Sequence, residues 1–128
     1  MRRAQISDGP NWPLKFFTPD ELRCKGSGRL EIDLISGLAL DELRQMVDRP
    51  LHIVSAYRSP DHNRAVGGAN NSYHLQGMAF DIAAMSAQHK MQLISAATLC
   101  GFKGFGWYKT FLHVDMGSRR FWFDTDAP

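Results

Sequence analysis

The chain has 128 residues, 44% of them hydrophobic and 22% charged, a composition that predicts one ordinary globular domain over residues 1–128 and leaves too little length for two. A formal net charge of +2 is compatible with an anionic polymer as partner but far too weak to indicate nucleic acid. No apolar run approaches the ~18 residues of a membrane span.

Residues 1–16 hold turn formers without periodicity and read as an extended N-terminal arm. Ser7, Asp8, Gly9, Pro10 and Asn11 deny the start of the chain the apolar core of a secretory signal. Thr18-Pro19-Asp20-Glu21 is a helix start: threonine caps, proline suits the first turn, and Glu21 completes a capping box. Lys25-Gly26-Ser27-Gly28 ends that helix early. Cys24 and Cys100 are too few for a disulfide scaffold and match no zinc-finger spacing, which leaves two free thiols or a single bridge.

From Glu31 to Asp48, Ile32, Ile35, Ala39, Leu43, Met46 and Val47 recur at helical spacing, weakened at Gly37 and stopped by Pro50. Leu51–Ala56 is a β-branched run of strand length. Ser59-Pro60 starts a short helix through Ala65, which Gly67-Gly68 stops. Met78–Ala83 reads as a buried strand with Ala79, Asp81 and Ala83 on one face and Phe80 and Ile82 on the other. Ser86 caps a helix with apolar positions Met91, Ile94, Ala97 and Leu99, ended at Gly101. Lys103–Trp107 and Phe111–Met116 form a hairpin around Tyr108-Lys109-Thr110, and a tail containing Arg119, Arg120 and Trp122 closes the chain. This order predicts an α+β fold, a small mainly antiparallel sheet covered on one face by helices.

The chemistry concentrates between Asn71 and Asp81. A buried carboxylate needs a charge partner or a metal, because desolvation is otherwise severe. Asp81, between Phe80 and Ile82, is the strongest anomaly in the chain. One explanation is a salt bridge to Arg58 or Arg64. The other is a zinc ion held by His74, Asp81 and His113, with a fourth position left to water. Gly77 would bend the chain so that His74 and Asp81 converge. Asp115 shares a strand face with His113 and so lies close to any metal there. His52, His62 and His89 read as ordinary surface or loop residues.

Ser72-x-His74-x-x-Gly77-x-Ala79-x-Asp81 resembles the signature of the zinc D-alanyl-D-alanine carboxypeptidases. Their relatives are the VanX-like dipeptidases and the L-alanyl-D-glutamate endopeptidases of phage endolysins, and they share a fold with the Hedgehog signalling domain. Ser55-Ala56-Tyr57-Arg58-Ser59-Pro60, Gly104-Phe105-Gly106-Trp107-Tyr108 and His113-Val114-Asp115-x-Gly117-x-Arg119-x-x-Trp122 extend the likeness from about Phe17 to Trp122. The resemblance implies one Zn2+ ligated by His74, Asp81 and His113. It also implies substrate orientation by Arg58, substrate hydrogen bonding by Ser72, and a peptidoglycan stem peptide as substrate. A monomer, with no nucleic-acid or membrane partner, is the corresponding expectation. Without a signal or span, the expected route is cytoplasmic synthesis and release to the cell wall by another means, as in phage lysis.

One position departs from the family. Many relatives carry an acidic general base three residues before the last histidine ligand, where this chain has Thr110. Asp115 is the replacement expected as acid/base. The alternative is that it only anchors His113 or Arg119. A zinc-bearing binding module without peptidase activity is the rival function.

Overall fold

In a computed structural model the residues described are 3–124. Met1 and Arg2 of the expected arm, and residues 125–128 of the expected tail, lie outside them. Among the described residues no helix is long and apolar enough to cross a membrane.

The arm is not wholly irregular. Strand β1 (Gln5–Ile6) pairs antiparallel with β2 (Ile32–Asp33). Helix α1 (Pro19–Leu22) begins at Thr18, whose N–H donates to the Glu21 carboxylate at 2.9 Å, the return half of a capping box. Helix α2 (Leu34–Val47) starts at Asp33, later than the apolar spacing suggests, because the Asp33 carboxylate accepts both the Ser36 N–H (3.0 Å) and its hydroxyl (2.6 Å). It ends at Asp48 in the left-handed conformation. Its buried stripe is Ser36, Gly37, Ala39, Leu40 and Leu43, while Ile35 and Met46, expected in the core, are 63% and 44% exposed. Gly37 explains the offset: a Cβ there would lie 2.5 Å from Ile6 Cδ1, so the glycine admits β1 onto this face.

Strand β3 (Ile53–Ser55) and helix α3 (Pro60–Ala65) follow, then a 3-10 turn at Tyr73–Gln76, strand β4 (Ala79–Ala83) and helix α4 (Ala87–Leu99). Helix α4 buries Lys90, Leu93, Ala96 and Ala97, whereas Met91 and Leu99, read as core positions, are exposed. Strands β5 (Gly104–Trp107), β6 (Phe111–Asp115) and β7 (Arg120–Phe123) complete the fold.

The main sheet has the order β3-β4-β6-β5-β7. The β3–β4, β4–β6 and β5–β6 pairings are antiparallel, but β5–β7 is parallel. The fold is α+β as expected, with a mixed sheet. β7 falls where the sequence suggests a mere tail. Four residues, 116–119, carry the chain past β5 to its far edge, and no local pattern announces that crossing.

Phe80, Ile82, Phe105, Leu112 and Val114 join Leu40, Leu43, Leu93 and Ala97 in one buried cluster. By strand alternation, Ala79, Asp81, His113 and Asp115 occupy the opposite face.

Candidate metal centre

Two rows of side chains cross that opposite face. In the first, Asp81 stands opposite His113, His113 opposite Gly106, and Gly106 opposite Trp122. In the second, two residues along, Ala79, Asp115, Gly104 and Arg120 are matched in the same way. The glycines make gaps. A Cβ on Gly106 would lie 2.5 Å from the Trp122 indole, and one on Gly104 would lie 2.2 Å from Asp115 Oδ1 and 2.4 Å from an Arg120 nitrogen. Side chains of β7 therefore reach across β5 to those of β6.

His74 enters from the 3-10 turn. Its N–H donates to Ser72 Oγ at 3.2 Å, and the turn ends at Gly77, with φ of +67°. A Cβ on Gly77 would lie 2.0 Å from the Glu31 carbonyl oxygen, so both conformation and close packing demand glycine there. This turn delivers His74 beside Asp81.

Three ligand atoms converge: one nitrogen from each of His74 and His113 and one Asp81 oxygen lie within 4.8 Å of one another. All three residues are buried. The hydrogen bonds dictate where protons sit. His74 Nδ1 is 2.6 Å from the Ala56 carbonyl oxygen, which only accepts, so Nδ1 carries the proton. That leaves Nε2 facing Asp81 Oδ1 at 3.1 Å. His113 Nε2 is 2.7 Å from Asp115 Oδ2, which leaves Nδ1 facing the same Asp81 Oδ1 at 2.9 Å. Two imidazole lone pairs and a carboxylate oxygen repel unless positive charge lies among them. Either both buried rings are protonated, with centroids only 5.1 Å apart, or one cation serves all three. Tetrahedral ligands held at about 2.0–2.1 Å from zinc sit about 3.3 Å apart, near the two histidine-to-Asp81 separations of 3.1 and 2.9 Å. The donor set, two nitrogens and one oxygen, is one zinc accepts.

The electrostatics follow the same geometry. Burial pushes the Asp81 carboxyl up, but His74 and His113 beside it hold it well below the usual carboxylate range. Burial opposes charge on His113, yet its bonds with Asp115 and Asp81 raise its pKa.

Asp81 Oδ2 is a separate matter: it accepts from Arg58 at 3.2 Å. Arg58 also donates to Ser55 Oγ (3.1 Å) and Asn63 Oδ1 (3.2 Å). The salt bridge and a metal are therefore not exclusive readings: Oδ2 takes the guanidinium, and Oδ1 is left facing the two histidines. Arg64, the other candidate partner, pairs instead with Asp61 at the surface.

Asp115, expected as the acid/base, is enclosed by its partners. It is 0% exposed, and its oxygens accept from His113 Nε2, the Gly117 N–H (2.9 Å) and both Arg120 amino groups (3.0 and 2.7 Å). It is not among the residues that line the pocket described below. Burial pushes its carboxyl up, but the bonds from His113 and Arg120 bring it down to about 2. Its partners are His113 and Arg120, where the anchoring alternative named His113 or Arg119. Thr110 is exposed in the β5–β6 turn.

A pocket of about 710 Å³ opens over the three residues, lined also by Arg58, Ser72, Tyr73, Tyr108, Arg120 and Trp122. Arg120 lies between Tyr73 and Trp122, 5.1 Å from each ring centroid. Tyr108, Arg120 and Trp122 were not foreseen as site residues. The available signal was Gly104-x-Gly106: two glycines on one face of a strand mark a close approach from a neighbour. His52, His62 and His89 stand outside the cluster. Cys24 and Cys100 are both free. Burial pushes the Cys24 thiol up, but hydrogen bonds from Ser27 and Ser59 hold it at about 6. Burial pushes Cys100 up to about 11.

Residues 15–115 match the family model described as Peptidase M15. The chain is 38% identical over 133 aligned positions to the zinc D-Ala-D-Ala carboxypeptidase of Streptomyces albus G, covering 92% of this chain and 52% of that protein. It thus spans about half the length of the curated relative it matches. Among solved structures, the L-Ala D-Glu endopeptidase ChiX of Serratia marcescens superposes with a TM-score of 0.50 at 19% identity, over 67% of this chain and 80% of that one. That likeness concerns the fold.

Proposed function

The chain belongs to the peptidase M15 family, and from that premise we propose that it is a zinc metallopeptidase hydrolysing peptidoglycan stem peptides. The observation that carries this reading is the convergence of His74 Nε2, Asp81 Oδ1 and His113 Nδ1, three lone-pair donors whose remaining partners keep protons off the facing atoms. Those three residues would hold the ion. Bound there, zinc supplies Lewis acidity toward a carbonyl and toward water.

The chain's own groups do the rest. The Ala56 carbonyl fixes the tautomer and orientation of His74, and Asp115 does the same for His113. Asp115 is in this reading an orienting group and not the base. Arg58 keeps Asp81 Oδ2 occupied so that Oδ1 faces the centre. A guanidinium has five N–H donors, and the three bonds of Arg58 leave two to orient a substrate carbonyl or carboxylate. Among the described residues Ser72 Oγ is bonded only as an acceptor, to the His74 N–H, and keeps its proton for substrate.

One observation favours a second reading, a zinc-bearing binding module. Among the described residues, no carboxylate but Asp81 lines the pocket. Digestion of defined muropeptides by the zinc-loaded protein, with product masses read out, separates the two. Hydrolysis that a chelator abolishes and zinc restores is expected. Stem-peptide binding without product at one zinc per chain would select the module. The two similar proteins are named for different bonds, D-Ala–D-Ala and L-Ala–D-Glu, and the product masses assign the bond here.

A further inference from the structure

When water attacks a peptide bond, negative charge gathers on the carbonyl oxygen, and a donor fixed beside that oxygen stabilises the transition state more than the substrate. Tyr108 is placed to be such a donor. It follows β5 at the turn into β6, where its ring stacks on Phe111 with centroids 4.4 Å apart and planes at 11°. Its hydroxyl oxygen accepts the Trp122 indole N–H at 3.1 Å. Trp122 in turn lies over Gly106 with its ring centroid 5.1 Å from that of His113. Ring stacking fixes the phenol plane, and the indole fills an acceptor site on its oxygen. The O–H therefore remains to donate, and among the described residues nothing accepts it. The side chain lines the pocket that holds His74, Asp81 and His113. Tyr73, the other phenol there, is committed to Arg120 and lies against Gly117.

We propose that Tyr108 donates a hydrogen bond to the scissile carbonyl oxygen as it becomes anionic. The proposal rests on the peptidase reading and needs no proton transfer: the phenol keeps its hydrogen throughout. Trp122 is the positioning residue that aims it.

Tyr108→Phe keeps the stack on Phe111 and removes only the donor. In the zinc-loaded protein, kcat should fall about 10²- to 10³-fold, the loss typical of one oxyanion donor, with KM within about 3-fold and zinc content unchanged. Calorimetric affinity for a phosphinate isostere of the cleaved dipeptide, a tetrahedral anion, should fall by a similar factor. Affinity for the amine product should stay the same. Trp122→Phe should give a smaller loss of kcat. A Tyr108→Phe enzyme with kcat and phosphinate affinity within about 3-fold of the parent overturns the tyrosine role and leaves the peptidase reading standing. A zinc-loaded parent that hydrolyses no muropeptide overturns both.

Discussion

Replacing Gly104 with alanine is expected to loosen the metal centre without touching a ligand. The new methyl group would fall 2.2 Å from Asp115 Oδ1 and 2.4 Å from an Arg120 nitrogen. Neither is the loose end of a free side chain, because the two are bonded to each other at 3.0 and 2.7 Å. Arg120 is the one able to move, since its side chain keeps 36% of its surface exposed while that of Asp115 has none. Its departure leaves a buried carboxylate short of its counter-charge. Breaking a fully buried pair costs about 3–5 kcal/mol, and the partial exposure of Arg120 argues for a lower figure, about 2–3 kcal/mol. For a domain of this size that lowers Tm by about 6–15 °C. Asp115 would also hold His113 less firmly, and loss of such an outer partner weakens metal affinity about 10- to 100-fold. Scanning calorimetry of the metal-free protein and competition titration with a zinc chelator measure the two effects. Arg120→Met removes the same bonds without adding a Cβ and should reproduce most of both losses. The double variant should lose little more than either single one. A Gly104→Ala protein that melts within about 2 °C of the parent and binds zinc equally would refute the reasoning. So would strict additivity with Arg120→Met.

His74→Ala is expected to abolish stoichiometric zinc in elemental analysis and, with it, hydrolysis, whereas Asp115→Asn should keep zinc with reduced affinity. Full metal occupancy in His74→Ala at matched free zinc would count against the ligand assignment. In the metal-free protein, burial opposes the His113 imidazolium but the bonds with Asp115 and Asp81 outweigh it and raise its pKa. A raised pKa gives stability that is complete below the unfolded value, about 6.5, and is lost as pH climbs through the folded one. Metal-free Tm should therefore fall as pH rises above about 6.5 while zinc-loaded Tm holds, because zinc competes with that proton; parallel curves would contradict this. On the acid side, the Asp115 carboxyl is held at about 2, so its contribution is present above about pH 4 and fades as pH falls toward 2. Neither thiol should react quickly with a disulfide reagent in the native state at pH 7.5: Cys24 is buried despite its low pKa, and Cys100 is held as the thiol at about 11. Both should react once guanidinium unfolds the chain.

Local chemistry was the legible part of this sequence. Pro60 after Ser59, and Ser86 before Ala87, start helices by filling backbone positions that need no distant partner, and α3 and α4 begin where those residues stand. The alternation of Ala79–Ala83 fixes which face Asp81 occupies, because Phe80 and Ile82 must go to the core. What could not be read depends on pairing across the sheet. Arg120 and Trp122 matter only because β7 lies parallel to β5, and a four-residue strand carries no sign of its neighbour. The position of Asp115 beside His113 follows from period two, but that period does not say whether a side chain stands in front of the metal or behind its ligand. The stripe of α2 was misplaced because burial there is governed by β1 fitting over Gly37, a contact between residues far apart in sequence.

The place of β7 in the sequence, after all three donor residues, also sets an order of assembly. A ribosome delivers His74, Asp81 and His113 before it delivers Arg120 and Trp122. A nascent chain thus carries every donor atom while the strand that steadies them is still unmade. If these three residues hold the ion as proposed, its firm capture is expected to wait for β7 rather than for the third donor residue. A chain cut just after Asp115 would keep the full donor set yet release its ion far more readily.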